Sequence, residues 1–267
     1  MAGRTGLNPP LVAIHGFADS GECMRPFLRR LGRPDADTPS LLAHGGRRMP
    51  PRLAFSHDEL VRDMLVEVRR AAHEAGRPVA LLGHSLGAST ATGVAAAADD
   101  LVCALVLEDP PWQVPADDAG APDAAADAAA DRAADGKNGH RPWLEGLQST
   151  DHAGRLGWLA ANNPGWPADE LDPWARSKAM VDLNLFTADQ RWLRRSWPAA
   201  VRGVRCPTLL LVGDPRRGAA CEPGVAETLS ATPGWTVRRI EGAGHNLRRE
   251  QPETVAAVVD QALRNAG

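Results

Sequence analysis

The pentapeptide GHSLG at residues 83–87 has the residue types and the spacing of a G-x-S-x-G nucleophile elbow. An apolar run precedes it at 79–82, and an Ala-rich stretch follows it at 88–98. A strand, a tight turn and a helix in this order lift the serine hydroxyl above the carboxyl edge of a parallel sheet, where helix amides can meet negative charge. The motif predicts Ser85 as a nucleophile; the alternative is a serine in an ordinary glycine-rich turn.

A serine hydroxyl is a weak nucleophile at neutral pH and needs a general base, an acid that orients the base, and donors for the oxyanion. His245 is the candidate base because it ends the glycine-rich stretch GAGH at 242–245 and follows Ser85 in chain order. His84 is the variable residue of the pentapeptide. The remaining histidines are expected at a strand end (His15) or in surface and loop positions (His44, His57, His73, His140, His152).

The oxyanion donors are predicted from position alone. They are the main-chain N–H of Leu86, the residue after the nucleophile, and that of Phe17, in the loop after the first predicted strand. His15, at the end of that strand, is expected to stabilise the loop.

The elements that would hold these residues alternate strands with helices. Nearly continuous apolar runs predict buried parallel strands; they lie at 11–14, 79–82, 101–107, 208–212 and 235–240, with a further short strand expected near Leu41. Apolar residues at helical spacing predict helices at 22–31, 60–76, 88–98 and 252–263. The alternation indicates an α/β fold with a mostly parallel, doubly wound sheet.

Residues 112–200 interrupt this alternation. Within them, 116–135 is an Ala/Asp low-complexity segment, for which a solvated helix and disorder are both open. The part that follows has helical patterns at 144–159 and 173–185, and it is rich in tryptophan: Trp143, Trp158, Trp166, Trp174, Trp192 and Trp197. We expect an inserted helical cap between two parts of a core, 1–111 and 201–267, with tryptophans that pack the cap or line a pocket.

Three motifs in this order, HGF at 15–17, GHSLG at 83–87 and GAGH at 242–245, resemble the α/β-hydrolase family, of the capped serine hydrolase type. The resemblance implies an eight-stranded core sheet, a cap after the sixth strand and a Ser-His-acid triad. The chain departs from the pattern because it begins at the family's third strand, so the first hairpin is expected to be shortened or missing.

The triad acid is where this sequence departs further from the family. The usual position, three residues beyond the glycine that ends the seventh strand, is Arg216 here, and Asp214 comes too early. A minority of the family carry the acid at the end of the sixth strand, where Glu108 and Asp109 stand. We favour Glu108, the first residue beyond the apolar run, because its longer side chain could reach a distant imidazole. Asp214 and then Asp109 are the alternatives, and a loop-capping role is open for the pair 108–109.

A serine at the elbow argues against the epoxide hydrolase and haloalkane dehalogenase branches, which resemble this fold but need an aspartate there. Acyl transfer on an ester, lactone, thioester or related bond of a mid-sized apolar or aromatic compound is expected. The alternative is a ligand-binding or non-hydrolytic protein, such as a lyase or cyclase, on the same fold. Arg191, Arg194 and Arg195 could hold a substrate carboxylate or form a solvated helix face.

Composition and charge argue against several other classes of protein. The net charge of -3 gives no electrostatic case for nucleic acid or for an anionic membrane surface. The four cysteines lack metal-type spacing, and no dinucleotide or phosphate-loop motif occurs, so we expect no metal and no cofactor. The start of the chain does not have a signal-peptide pattern, and no apolar run has the length of a membrane span. We expect a cytoplasmic esterase-like protein with a small-molecule substrate, for which a homodimer is open.

Overall fold

The computed structural model describes residues 8–50, 53, 55–114, 139–187 and 197–266 of the 267-residue chain. The low-complexity segment at 116–135 and the arginines at 191, 194 and 195 lie outside these ranges. The described residues form a parallel sheet of five strands whose spatial order follows the chain order. The strands are β1 (Leu11–Ile14), β2 (Val79–His84), β3 (Val102–Glu108), β4 (Thr208–Val212) and β5 (Trp235–Arg239).

Ten helices accompany the sheet in the described residues. Before β3 they are α1 (Arg25–Arg30), α2 (His57–Ala75) and α3 (Leu86–Ala97); between β3 and β4 they are α4 (His140–Gln148), α5 (His152–Asn162), α6 (Ala168–Ala179) and α7 (Trp197–Gly203); after β4 they are α8 (Pro223–Ser230), α9 (Leu247–Glu250) and α10 (Pro252–Asn265).

The sheet is covered on both faces, as the apolar runs predict. Every residue of β1, β2 and β4 is buried. Alternate side chains enter different cores: Val12 and Ile14 join the core with α2, α3 and α8, whereas Leu11 and Ala13 join the core with α1 and α10. Successive side chains along a strand therefore pack against helices on opposite faces of the sheet. This arrangement confirms the α/β class and the parallel, doubly wound sheet.

The sheet of the described residues is narrower than the eight strands that the family resemblance implies. In the described residues one isolated bridge joins Val12 of β1 to Asp37, and Leu41 itself lies outside any strand. The expected strand near Leu41 is wrong, because the segment around it carries Pro34 and Pro39, which lack the N–H that a ladder needs.

The helices between β3 and β4 begin and end at other residues than the sequence predicts. A single helix over 144–159 is expected, but α4 ends at Gln148, and α5 begins after Asp151, whose carboxylate accepts the N–H of Gly154 at 2.7 Å. The insert has a small core of its own, formed by Leu147, Leu159, Trp174 and Ala175. Trp112 and Trp197 instead belong to the main core and stack on each other.

The turn from β2 into α3 depends on two close approaches. A Cβ at Gly83 would lie 2.5 Å from the carbonyl oxygen of Gly87. A Cβ at Gly87 would lie 2.3 Å from the carbonyl oxygens of Ile14 and His15 in β1 and the loop after it. Such distances leave no room for a side chain, so only glycine at both positions lets α3 start directly against β1.

Gly87→Ala is expected to lower the free energy of unfolding by about 1–3 kcal/mol, because the added methyl would push α3 away from β1. Urea titration followed by circular dichroism measures the change. Gly157→Ala in α5 is the matched control: a Cβ there meets nothing within 4 Å, and alanine favours a helix, so stability should be equal or higher. Equal losses in both variants would contradict the close approach.

Candidate active site

Ser85 sits at the elbow in a strained conformation. Its φ of 52° and ψ of -118° are unfavourable for a residue with a side chain. The chain is tied on both sides of it: the N–H of Ser85 donates to the carbonyl of Glu108 at 2.9 Å, and the carbonyl of Ser85 accepts from Ala88 at 2.9 Å. Hydrogen bonds to β3 on one side and to α3 on the other therefore keep Ser85 in this conformation.

Ser85, His245 and Asp109 form a continuous hydrogen-bonded relay. The Oγ of Ser85 lies 3.0 Å from Nε2 of His245, and Nδ1 of His245 lies 2.6 Å from Oδ2 of Asp109. Because the carboxylate accepts the Nδ1 proton, Nε2 is left as the acceptor for the serine hydroxyl. The structure therefore brings together the predicted nucleophile and base, 160 residues apart in the chain.

Asp109, and not Glu108, contacts the imidazole. The expectation for Glu108 is wrong because the last strand residue points away from the residue after it: its Oε1 accepts the N–H of Arg248 and its Oε2 pairs with Nη1 of Arg248, both at 2.9 Å. Asp109 is fully buried, has a φ of 42° and turns towards His245. Its carboxylate also accepts from the N–H groups of Ala220 (2.6 Å) and Cys221 (3.3 Å), which fix its orientation.

Asp214, the alternative acid, has a local role. Its carboxylate accepts from the main-chain N–H of Arg216 at 2.9 Å and from the Arg216 side chain, and so it caps the turn at 215–217. The Arg216 side chain lowers the pKa of this carboxyl. The structure does not pair Asp214 with His245.

His84, treated from the sequence as the variable residue of the elbow, supports the loop of the base. Its Nε2 donates to the carbonyl of His245 at 3.0 Å, and the two rings lie 4.9 Å apart. Burial, together with Arg248 and His245 nearby, holds the pKa of His84 well below its usual value. The ring is therefore a neutral donor, and its spacing alone gave no signal of this contact.

Phe17 and Leu86 both line the cavity that contains Ser85 and His245. Leu86 is the first residue of α3, and Phe17 lies in a tight turn in which Asp19 donates to the carbonyl of Gly16 at 3.2 Å. His15 supports this loop, since its Nδ1 donates to the Gly16 carbonyl at 2.7 Å and its Nε2 accepts the N–H of Leu41 at 3.0 Å. Both residues predicted to supply oxyanion donors thus border the cavity that contains Ser85, and their donor role stays a prediction.

Asp19, in the same loop, is the centre of a buried charge network that the sequence did not reveal. Its carboxylate accepts from Lys178 at 2.7 Å, from Arg249 at 2.8 Å and from Arg248 at 3.4 Å. Burial alone would raise the pKa of Asp19, but the three cations together hold it well below its usual range. The loop after β1 is thereby joined to α6 of the insert and to α9.

Two further carboxylates complete this network. Glu108 pairs with Arg248, and Glu170 of α6 pairs with Nε of Arg249 at 3.1 Å. The charges of the six side chains balance, as buried ions require. Lys178 also donates to the carbonyl of Ala18 at 2.8 Å, so the insert contacts the backbone beside Phe17 directly.

The cavity over Ser85 has a volume of about 590 Å³. Its wall is largely aromatic, with four tryptophans from the insert: Trp143, Trp158, Trp166 and Trp174. His140 also lines it and packs its ring edge-on against Phe17 at 5.0 Å. His140 is the exposed first residue of α4, and it borders the cavity over Ser85 and not a separate surface loop.

A family model described as the alpha/beta hydrolase family matches residues 11–258. The chain belongs to the alpha/beta hydrolase family. Family membership confirms the resemblance carried by the three motifs, and it supports a hydrolase in the broad sense.

Several solved structures share the fold of this alpha/beta hydrolase. An E-2-(acetamidomethylene)succinate hydrolase aligns at 21% identity, with a TM-score of 0.70, over 97% of this chain and 92% of the other. The N-formylmaleamic acid deformylase of Pseudomonas putida S16 aligns at 18% identity and a TM-score of 0.70 over 95% and 92%. A thermophilic esterase from Thermogutta terrifontis aligns at 22% identity and a TM-score of 0.59 over 98% and 92%. No curated protein sequence matches the chain.

Two features are absent from the described ranges of the chain. No group of three or more His, Cys, Asp or Glu side chains in those ranges is placed to hold a metal ion. No helix in the same ranges is long and apolar enough to cross a membrane.

Two buried histidines of this alpha/beta hydrolase link its stability to pH. Burial lowers the pKa of His15 from 6.5 to about 3, with a contribution from His44, and burial lowers the pKa of His44 to about 4. The folded-state values lie below the unfolded ones, so this stability is complete above pH 6.5 and is lost as the pH falls towards the folded values.

His44→Gln is expected to reduce the slope of unfolding free energy against pH by about 1 kcal/mol per pH unit between pH 6 and 4.5, because one proton fewer binds on unfolding. Urea titrations at four pH values in this range measure the slope. His73→Gln, on the exposed face of α2, is the control and should keep the slope of the parent chain. A slope unchanged by His44→Gln would contradict a neutral, buried His44.

Proposed function

We propose that this protein is a serine hydrolase that cleaves an ester, lactone, thioester or related acyl bond of a mid-sized apolar or aromatic small molecule. The relay from Asp109 through His245 to Ser85, at distances of 2.6 and 3.0 Å, is the observation that carries the proposal. A serine at a strained elbow without a histidine contact would instead suit a ligand-binding protein, and the relay argues against that alternative.

Each group of the relay has a defined step. Ser85 Oγ attacks the acyl carbon while its proton passes to Nε2 of His245, and the carbonyl oxygen becomes an oxyanion facing the N–H groups of Phe17 and Leu86. His245 then gives the proton to the leaving group, and the acyl group stays on Ser85. A water molecule, deprotonated by His245, releases the acid and restores the serine. Asp109 holds the imidazole tautomer and stabilises the imidazolium throughout.

The substrate class rests on the cavity and on the neighbours. A volume of about 590 Å³ with four tryptophans in the wall suits a compact molecule with apolar or aromatic surface. The structures with the same fold include an esterase and a thioesterase domain.

Ser85→Ala should abolish labelling by a fluorophosphonate, which adds one adduct to the parent chain through the serine oxygen. Intact-protein mass spectrometry measures the adduct. Ser89→Ala is the matched control, since Ser89 lies one turn further along α3, where it accepts from Trp112 Nε1 at 3.1 Å, and this variant should still be labelled. An adduct on the Ser85→Ala protein would show that another residue is the nucleophile.

Asp109→Asn should lower kcat on an ester by about 10⁴, because an amide cannot hold the required imidazole tautomer. Asp214→Asn should lower it less than about tenfold, as expected for a turn cap. Glu108→Gln should mainly cost stability, about 3–5 kcal/mol at most, because it breaks a buried pair with Arg248. Steady-state kinetics on folded protein ranks the three variants, and a larger loss for Asp214→Asn or Glu108→Gln would refute Asp109 as the acid.

A further inference from the structure

Two buried cations form part of the wall of the cavity over Ser85. They are Lys178 from α6 and Arg249 from α9, and both are almost wholly inaccessible from outside. Asp19 is the carboxylate among the residues that line this cavity, whereas Glu108, Glu170 and Arg248 do not line it. The residues that line the cavity therefore carry two positive charges and one negative charge, although the six side chains of the network together are neutral.

Lys178 and Arg249 differ in how many of their N–H groups are already hydrogen-bonded to protein acceptors. All three N–H bonds of Lys178 are used, by the Ala18 carbonyl, by Asp19 and by Ser177 Oγ at 3.2 Å. Arg249 has five N–H bonds and three protein acceptors: Glu170 on Nε, Asn246 on Nη1 at 3.1 Å and Asp19 on Nη2. One N–H on each terminal nitrogen of Arg249 has no acceptor among the residues that the structure describes.

The Arg249 guanidinium is also held rigidly. Its Cζ lies 4.6 Å from the ring centroid of Trp166, which lines the same cavity. A fixed cation with spare donors, beside tryptophan side chains that exclude water, attracts an anion more strongly than a mobile surface lysine does. Arg249 lies four residues beyond His245, so the cation and the base belong to one short segment.

We propose that Arg249 binds a carboxylate of the substrate, so that the preferred substrate is an acyl compound that carries a free carboxylate at a fixed distance from the scissile bond. The inference rests on the proposed function, since Ser85 must attack the acyl carbon of the same molecule. The apolar part of that molecule packs on the tryptophans, Arg249 receives the carboxylate, and Lys178 contributes the attraction of its charge without a direct hydrogen bond.

The test compares two esters that differ in one charge. 4-Nitrophenyl hemisuccinate carries a carboxylate, and 4-nitrophenyl methyl succinate replaces it with a neutral ester of similar size. The parent protein should show a kcat/KM at least tenfold higher for the hemisuccinate or for its best homologue in a malonate, glutarate and adipate half-ester series, with one preferred chain length. A ratio near one for every chain length would overturn the proposal.

Arg249→Gln and Arg248→Gln form a matched pair on the same helix. Both remove a buried cation that contacts Asp19, but Arg249 lines the cavity and Arg248 does not. The ratio of the charged to the neutral ester should fall at least tenfold in Arg249→Gln and stay within about twofold in Arg248→Gln. Equal ratios in both variants would overturn the assignment to Arg249.

Two outcomes separate this inference from the proposed function. Turnover of both esters at equal rates contradicts the carboxylate site alone, whereas no turnover of either ester and no phosphonate adduct on Ser85 contradict the hydrolase. If Arg249→Gln does not fold, Arg249→Lys keeps the charge but loses the planar fork; its ratio should fall below that of the parent chain, and an unchanged ratio would overturn the role of the fork.

Discussion

The conformation of Ser85 is the constraint on which the rest of the site depends. A φ of 52° at a residue with a side chain persists only if its surroundings leave no alternative. Here β3 accepts the N–H of Ser85, α3 begins at the next residue, and the space beside the turn is filled by carbonyl oxygens of β1 and its loop. The loop after β1 and the elbow are therefore in close contact.

The sequence predicted the nucleophile, the base and the parallel sheet because each depends on local chemistry: glycines at a turn, a histidine after a strand, and apolar runs. The acid could not be chosen this way. Glu108 and Asp109 are adjacent carboxylates at a strand end, and opposite side-chain directions plus the positive φ of Asp109 decide which one faces His245. Arg248, which forms the ion pair with Glu108, belongs to a helix 140 residues further along the chain.

The network around Asp19 was equally invisible in the sequence, since its members come from four separate segments: the loop after β1, β3, α6 and α9. None of the sequence motifs includes Lys178, Arg248 or Arg249. Their burial follows from the way that α6 and α9 meet the loop after β1. Because removal of one partner leaves a buried charge uncompensated, the insert and the core are energetically linked at this point. The aromatic wall of the cavity and the loop of the predicted oxyanion donor are thus built on a shared support.

The contact between Gly16 and His84 has a consequence for how this site can evolve. A Cβ at residue 16 would lie 2.7 Å from Nδ1 of His84, whose ring is held by the carbonyl of His245. The two positions, 68 apart in the chain, therefore behave as one evolutionary unit. A side chain can be acquired at position 16 only after position 84 has become smaller, and that earlier step removes the donor that steadies the loop of the base. A substitution at position 16 therefore requires that another residue first replaces the hydrogen bond from His84 to the carbonyl of His245.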